Sequence, residues 1–233
     1  MVTALASYLD ARSNQGEWWL RIDDIDPPRD DHEAKASFAP MLQAHGLEWD
    51  GQVHYQSQHT DRYRAALSQI AVFPCTCSRK SLALTQGQHP PHCSPGAPPH
   101  AQRWYSRAAQ SAEVLWRKED LPSYHLACAA DEIEMGVTHV VRGADLDFAG
   151  AIQAELIEAL GAQAPTYRSI PLVTNAQGQK LSKQNLAPAL ALDNAPAQIH
   201  AALEFLFPGQ AFPGTIDATL KEATLRWAEQ HEN

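Results

Sequence analysis

Between His89 and Pro99 the chain carries five prolines: Pro90, Pro91, Pro95, Pro98 and Pro99. Each one fixes φ and withholds a backbone N–H, so no helix or central strand is expected to cross the stretch. Any fold this chain adopts must be interrupted there. Just upstream, "CTCSRK" opens a cluster in which Cys75, Cys77 and Cys93 fall within nineteen positions. A segment with so little regular structure needs a staple. A chain of 233 residues has core enough to fold without disulfides. Its start, "MVTALASYLDAR", shows no basic leader and no long apolar core. A cytoplasmic location is therefore expected, and in a reducing compartment clustered cysteines favour a metal over a disulfide.

The ligand grammar fits zinc. Cys75-x-Cys77 supplies two close thiolates, and His89 and Cys93, with three residues between them, supply a second close pair. Zinc takes four such ligands in a tetrahedron. Three ordinary cysteines and a surface histidine are the bland alternative, which the close grouping of four ligands disfavours. His92 and His100 compete with His89 for the fourth position.

The same segment differs in charge. The chain has a formal charge of −9, but residues 75–120 hold six Lys/Arg and three acids, a local +3 that leaves −12 elsewhere. An acidic protein can meet nucleic acid through such a local basic surface, although standing alone so modest an excess is better explained by a solvated face. No apolar run approaches the roughly eighteen residues of a membrane span.

On either side the pattern is α/β. Val2 to Gln15 predicts an amphipathic helix, and "EWWLRIDDID" a buried strand ending in carboxylates. "DDHEAKASFAPMLQAHG" predicts a helix capped by Asp30 or Asp31, with Phe38, Met41 and Leu42 on one face. A helix near Thr60 buries Tyr63, Leu67 and Ile70. After the proline segment, "SYHLACAADE" and "VTHVVRGAD" read as strand-like. "DLDFAGAIQAELIEALG" predicts a helix with Phe148, Ile152, Leu156, Ile157 and Leu160 inside. "YRSIPLVT" predicts a strand, "NAQG" a turn, and "PAQIHAALEFLF" and "IDATLKEATLRWAEQ" closing helices.

Three short motifs could carry chemistry. The carboxylates of "RIDDIDPPRD" end a buried strand, where open α/β sheets place ligands, and could hold an ammonium group or a divalent ion. Taken alone, a capping, solvated acidic loop explains them better. Arg142 in "VVRGAD" follows a β-branched run and could grip a carboxylate with two N–H groups, or make a surface ion pair. In "GQKLSKQN", Lys180 and Lys183 put two cations on a turn, an arrangement suited to a reacting phosphate but common on ordinary surfaces.

In combination these motifs are far more specific. "RIDDIDPPR", Cys-x-Cys, "YHLA…DE", "VVRGADL" and "IPLVTNAQGQKLSKQN", in that order, resemble the glutamyl-tRNA synthetase family of class I aminoacyl-tRNA synthetases over about Leu5 to Ala189. The "KLSKQN" loop and the roughly 45 residues after it resemble the family's short paralogues, which carry no anticodon-binding domain. The resemblance implies a Rossmann-like, doubly wound parallel sheet, an inserted zinc-bearing module and C-terminal helices. It divides the chain into a first catalytic half at 1–74, a zinc and acceptor-type module at 75–122, a second catalytic half at 123–189 and a helical tail at 190–233.

The resemblance further implies ATP-dependent, tRNA-independent activation of glutamate, with Mg²⁺, and transfer to queuosine in the anticodon of tRNA(Asp) by a monomeric enzyme. Lys183 would stabilise the triphosphate as the adenylate forms, with Lys180 and Ser182 shaping the loop. Tyr124 and Arg142 match glutamate-binding positions, Arg142 holding a carboxylate. Asp23 matches an acid, usually Glu, that faces the substrate amino group. Cys75, Cys77, His89 and Cys93 match the zinc ligands. A tRNA-charging synthetase fragment, or an inactive zinc- and tRNA-binding remnant, are the alternatives. The family opens with a strand and a His-Ile-Gly-His-type motif, and this chain begins inside the helix that follows. The chain from Met1 is therefore expected not to activate glutamate alone, and Trp18, Leu20 and Ile22 to lose a neighbour.

Overall fold

The computed structural model describes residues 1–26, 32–85, 89, 93, 95–175, 177–181 and 190–231. The chain opens with α1 (Val2–Ser13), β1 (Arg21–Ile22), α2 (His32–Ala44), β2 (His54–Tyr55) and α3 (Thr60–Ser68). β1 and β2 are parallel, with Arg21 opposite His54. Next come β3 (Phe73–Cys75), a one-turn α4 (Arg79–Leu82), β4 (Ala101–Ser106) and β5 (Ser111–Trp116). They build a three-stranded antiparallel sheet in the order β3-β4-β5. Among the described residues, none between Thr85 and Ala101 lies in a helix or strand. α5 (Tyr124–Glu134), β6 (His139–Gly143), α6 (Asp147–Ala159) and β7 (Thr166–Ile170) follow, and then α7 (Ala195–Leu206) and α8 (Ile216–His231). β6 and β7 are again parallel.

The architecture is α/β with parallel strands, as expected, and the carboxylate loop and Arg142 lie at strand ends. Among the described residues the parallel strands form two pairs, β1–β2 and β6–β7. Arg21 of β1 and Val140 and Val141 of β6 line one cavity of about 660 Å³, together with Ala4, Ser7 and Ala11 of α1. Trp18 stays buried even so. Its ring stands edge-on to Tyr8, centroids 5.4 Å apart, and its indole N–H donates to Ser7 Oγ at 2.9 Å.

Two apolar cores support these layers. In the first, Leu5 and Leu9 of α1 pack with Ile199 and Leu203 of α7 and Leu220 and Trp227 of α8. α8 approaches so closely that a Cβ on Gly46 would lie 2.6 Å from Ile216 Cγ2. Gly46 also has φ +71°, so glycine is required there twice over. The second core joins Tyr63 of α3, Leu115 of β5, Leu126 and Ala130 of α5, and Leu156 and Ile157 of α6. Glu155 of α6 ties down the β4–β5 turn. It accepts from Ser106 Oγ at 2.7 Å and from the backbone N–H groups of Arg107 and Ala108 at 2.9 and 3.0 Å. Burial opposes its ionisation, but these N–H groups prevail and bring its carboxyl down to about 2.

Two expectations need correction. "SYHLACAADE" is helix α5, not a strand. Ser123 caps it by accepting the Leu126 N–H at 3.3 Å, and no β-branched residue precedes Ile133. The run looked strand-like because the helix is buried almost all round, from Leu126 to Glu132, which erases helical periodicity. Phe38 and Phe148 are 52% and 62% exposed, so neither lies on an inner face. Asp30 and Asp31 lie outside the described residues.

α5 carries two adjacent buried acids that reach in different directions. Asp131 accepts from Gln56 Nε2 at 2.8 Å, from the Tyr63 hydroxyl at 3.0 Å and from Arg62 NH1 at 3.1 Å, with His54 Nε2 at 3.2 Å. Glu132 accepts from the Tyr167 hydroxyl at 3.2 Å and lies 3.9 Å from Arg142 NH2. One acid engages the β1–β2–α3 half and the other the β6–β7 half. Asp131→Ala would strand several buried donors, and we expect it to lower the unfolding free energy by about 3–5 kcal/mol. Tyr63→Phe, which removes one donor, should cost only about 1–2 kcal/mol. Urea unfolding of the two variants checks this, and a loss below about 1 kcal/mol for Asp131→Ala would contradict it.

Candidate functional site

The cysteine cluster is assembled by the turn after β3 and the loop before β4. Cys75 Sγ lies 3.1 Å from His89 Nε2 and 3.6 Å from Cys93 Sγ, and Cys77 Sγ lies 3.6 Å from Cys93 Sγ. All four ligand atoms lie within 4.8 Å of one another. A tetrahedron with zinc–sulfur bonds of about 2.3 Å has edges of roughly 3.8 Å, so the donor set and its spacing fit one zinc ion. The four cysteines form no disulfide. Burial raises the Cys75 thiol, yet the Cys77 N–H and the His89 ring outweigh it and bring it down to about 6. Cys77 is pushed up to about 11 by burial and by the two neighbouring sulfurs. His100 is directed elsewhere, its Nε2 2.7 Å from the Gly96 carbonyl oxygen. His92 lies outside the described residues.

The second constellation forms where β1, α5, β6 and α6 converge. Each carboxylate of the "RIDDID" loop has its own partner. Arg21 Nε donates to Asp23 Oδ1 at 2.7 Å. Asp24 accepts from the Ser57 N–H at 2.8 Å and hydroxyl at 2.7 Å. Asp26 pairs with Arg117 at 3.1 Å. Of the three, Asp23 lines the large cavity, with Arg21 and Glu132. Arg21 also reaches across to α5, its NH2 3.0 Å from Cys128 Sγ. Burial and neighbouring charges push the Cys128 thiol up to about 12, so it stays a neutral group in this wall.

Arg142 is buried, 6% exposed. Its NH1 donates to Gln153 Oε1 at 2.8 Å, and its guanidinium carbon stands 4.5 Å from the Tyr167 ring centroid. α6 makes room for it at Gly150, where a Cβ would lie 3.1 Å from Arg142 NH1. Arg142 Nε, Gln153 Nε2 and His125 Nδ1 are buried without a hydrogen-bond partner in the protein. Tyr124 is the first residue of α5 and is 37% exposed. Burial, then Cys128, pushes its phenol up to about 12, while Gln153 and Arg142 act the other way. Tyr124 therefore lies near Arg142 and Gln153.

Asp23, Tyr124 and Arg142, read separately from the sequence, thus share one region. Lys180 follows the turn of Asn175–Gly178 and pairs with Asp145, two residues after Gly143 of β6. Ser182 and Lys183 lie outside the described residues. Sequence reasoning missed Arg21, Cys128, Glu132 and Gln153. Gln153 had a visible signal, an uncharged amide beside Ile152 on the apolar face of α6.

Comparison with known proteins is consistent across methods. The model of the class I tRNA synthetase (E and Q) catalytic domain matches residues 1–89 and 104–197. A glutamyl-Q tRNA(Asp) synthetase of Chromobacterium violaceum is 37% identical over 262 residues, covering 97% of this chain and 87% of that protein. One from Pectobacterium atrosepticum is 37% identical over 257 residues, covering 99% of this chain and 79% of that protein. Among solved structures, a glutamate-tRNA synthetase from Elizabethkingia anophelis superposes with a TM-score of 0.75 at 20% identity. It covers 96% of this chain and 61% of that longer one, and shows the fold.

If the cluster holds zinc, purified protein will contain about one zinc per chain, and Cys77→Ser will lose it. Metal analysis by mass spectrometry is the check. A metal-free preparation whose β3–β5 sheet stays protected from hydrogen exchange would contradict the assignment.

Proposed function

Because the chain belongs to the family of class I tRNA synthetases for glutamate and glutamine, a family of ligases, we propose that it activates glutamate with ATP, without tRNA, and transfers it to queuosine in the anticodon of tRNA(Asp). The observation that carries the chemical part is Arg142, a buried guanidinium held by Gln153 with its Nε–H still lacking a partner. A buried cation with a free donor suits a carboxylate, which accepts two such bonds. Asp23, one of the residues lining the cavity, is the partner for the substrate ammonium, and Arg21 fixes its orientation. Tyr124 keeps its proton at neutral pH and donates to the same ligand.

In the proposed first step a carboxylate oxygen of glutamate attacks the α-phosphorus of ATP and pyrophosphate leaves. Negative charge grows on the departing phosphates, and Lys183, with Lys180, Ser182 and Mg²⁺, would stabilise it. Lys180 is paired with Asp145 in the ligand-free chain, so it must exchange that partner for phosphate. In the second step a queuosine hydroxyl attacks the activated carbonyl and AMP leaves. Zinc at Cys75, Cys77, His89 and Cys93 has a structural part, fixing the loop before β4. The enzyme is proposed to act as a monomer in the cytoplasm. Among the described residues no helix is long and apolar enough to cross a membrane.

The substrate part rests on the relatives, whose name is shared over nearly the whole chain. Its test is transfer of labelled glutamate to tRNA(Asp) with and without queuosine, and to tRNA(Glu). In an active, full-length form label is expected on queuosine-containing tRNA(Asp) alone, and Lys183→Ala there should lower adenylate formation about a hundredfold. Label on the 3′ end of tRNA(Glu) would overturn the proposal in favour of a tRNA-charging enzyme. Binding of tRNA without any transfer would overturn it in favour of an inactive remnant.

A further inference from the structure

We infer that Gln153 determines the specificity of this site: its amide holds Arg142 and adds a second donor, so that the pair accepts a carboxylate and rejects a carboxamide. The inference rests on the proposal above that Arg142 receives a glutamate carboxylate.

Gln153 is fully buried, at 0% exposure, on a face of α6 otherwise made of Gly150, Ile152, Leu156 and Ile157. A buried amide in such surroundings needs a reason, because its hydrogen bonds to water are lost. Half of the reason is visible: Gln153 Oε1 accepts from Arg142 NH1 at 2.8 Å. A guanidinium only donates, so this bond also fixes which end of the amide is which. The Nε2 end is left as a donor, and it has no hydrogen-bond partner in the protein. Arg142 Nε is a second buried donor without one. The Tyr124 phenol lies near Gln153 and Arg142 and keeps its proton.

The two groups that this pair leaves unpaired therefore both donate. A carboxylate, acceptor on both oxygens, satisfies them. A carboxamide would set its own NH₂ against N–H groups and leave buried donors unpaired, the kind of mismatch that discriminates strongly. Gln153 is also neutral. An acid in its place would consume the Arg142 charge, whereas the amide orients the guanidinium and leaves its charge for the ligand. The acid that does approach, Glu132, is 3.9 Å from Arg142 NH2, and burial raises its carboxyl, which weakens its competition for that charge.

The test is calorimetric binding of glutamate, glutamine and ATP to the full chain and to Gln153→Met, Gln153→Glu and Arg142→Lys. Gln153→Met is expected to weaken glutamate binding about tenfold or more, with glutamine changed much less, so that selectivity collapses. Gln153→Glu keeps the shape, spares the packing and decides the matter if the methionine variant fails to fold. It should weaken glutamate binding about a hundredfold by pairing with Arg142 internally. ATP binding should stay within about twofold in both, a split that general loss of structure would not give. Loss of glutamate binding in Arg142→Lys with parental affinity and selectivity in both Gln153 variants would overturn the inference and spare the proposed function. A parent chain that binds no glutamate would overturn both.

Discussion

The adjacent acids Asp131 and Glu132 are the joint on which the catalytic layer depends. Both are buried, yet their side chains leave α5 toward different halves of the molecule. Asp131 gathers donors from β2 and α3, and Glu132 meets β6 and β7 through Arg142 and Tyr167. Among the described residues the parallel strands occur as two pairs, and this helix engages both of them. A buried carboxylate contributes favourably only when its acceptor capacity is filled. The geometry of both halves is therefore set by the need to deliver donors to one turn of one helix.

That joint also prepares the ligand wall. Glu132 and the Tyr167 ring bracket the Arg142 guanidinium from one side, and Gln153 takes its NH1 from another. The space for it depends on the missing Cβ of Gly150. Arg21 spans the other flank, holding Asp23 and reaching Cys128. One end of the region is thus acidic and half exposed, and the other is cationic and buried. A zwitterionic amino acid with a second carboxylate matches that polarity, with its ammonium group toward the loop and a carboxylate toward the interior.

Much of this was legible in the sequence, for physical reasons. Zinc ligands are recognised by residue type and short spacing, and the four candidates do meet within 4.8 Å. Arg142 ends a β-branched run, which suits a surface ion pair as well as a carboxylate grip, and Asp23 was singled out of its acidic run by the family resemblance. What was hidden depends on contacts between distant segments. Helix α5 is buried almost all round and so lacks the period that marks a surface helix. Gln153 acquires meaning only when α6 folds back over β6 to meet Arg142. Phe148 counts as apolar in any helical pattern, but it sits in the first turn of α6 and stands 62% exposed. The division into two core clusters, one closed by α7 and α8 against α1, likewise follows from packing and not from any local signal.

The central claim is that Arg142 presents an unpaired N–H to a carboxylate, and nitrogen-resolved NMR of the arginine side chains tests it most directly. The Arg142 Nε–H signal, assigned by its disappearance in Arg142→Lys, should move downfield and become protected from solvent exchange as glutamate is added. Glutamine at the same concentration should leave it nearly in place. If glutamate binds with measurable heat while the Arg142 Nε–H signal does not move, the carboxylate is held elsewhere and this account of the site is wrong.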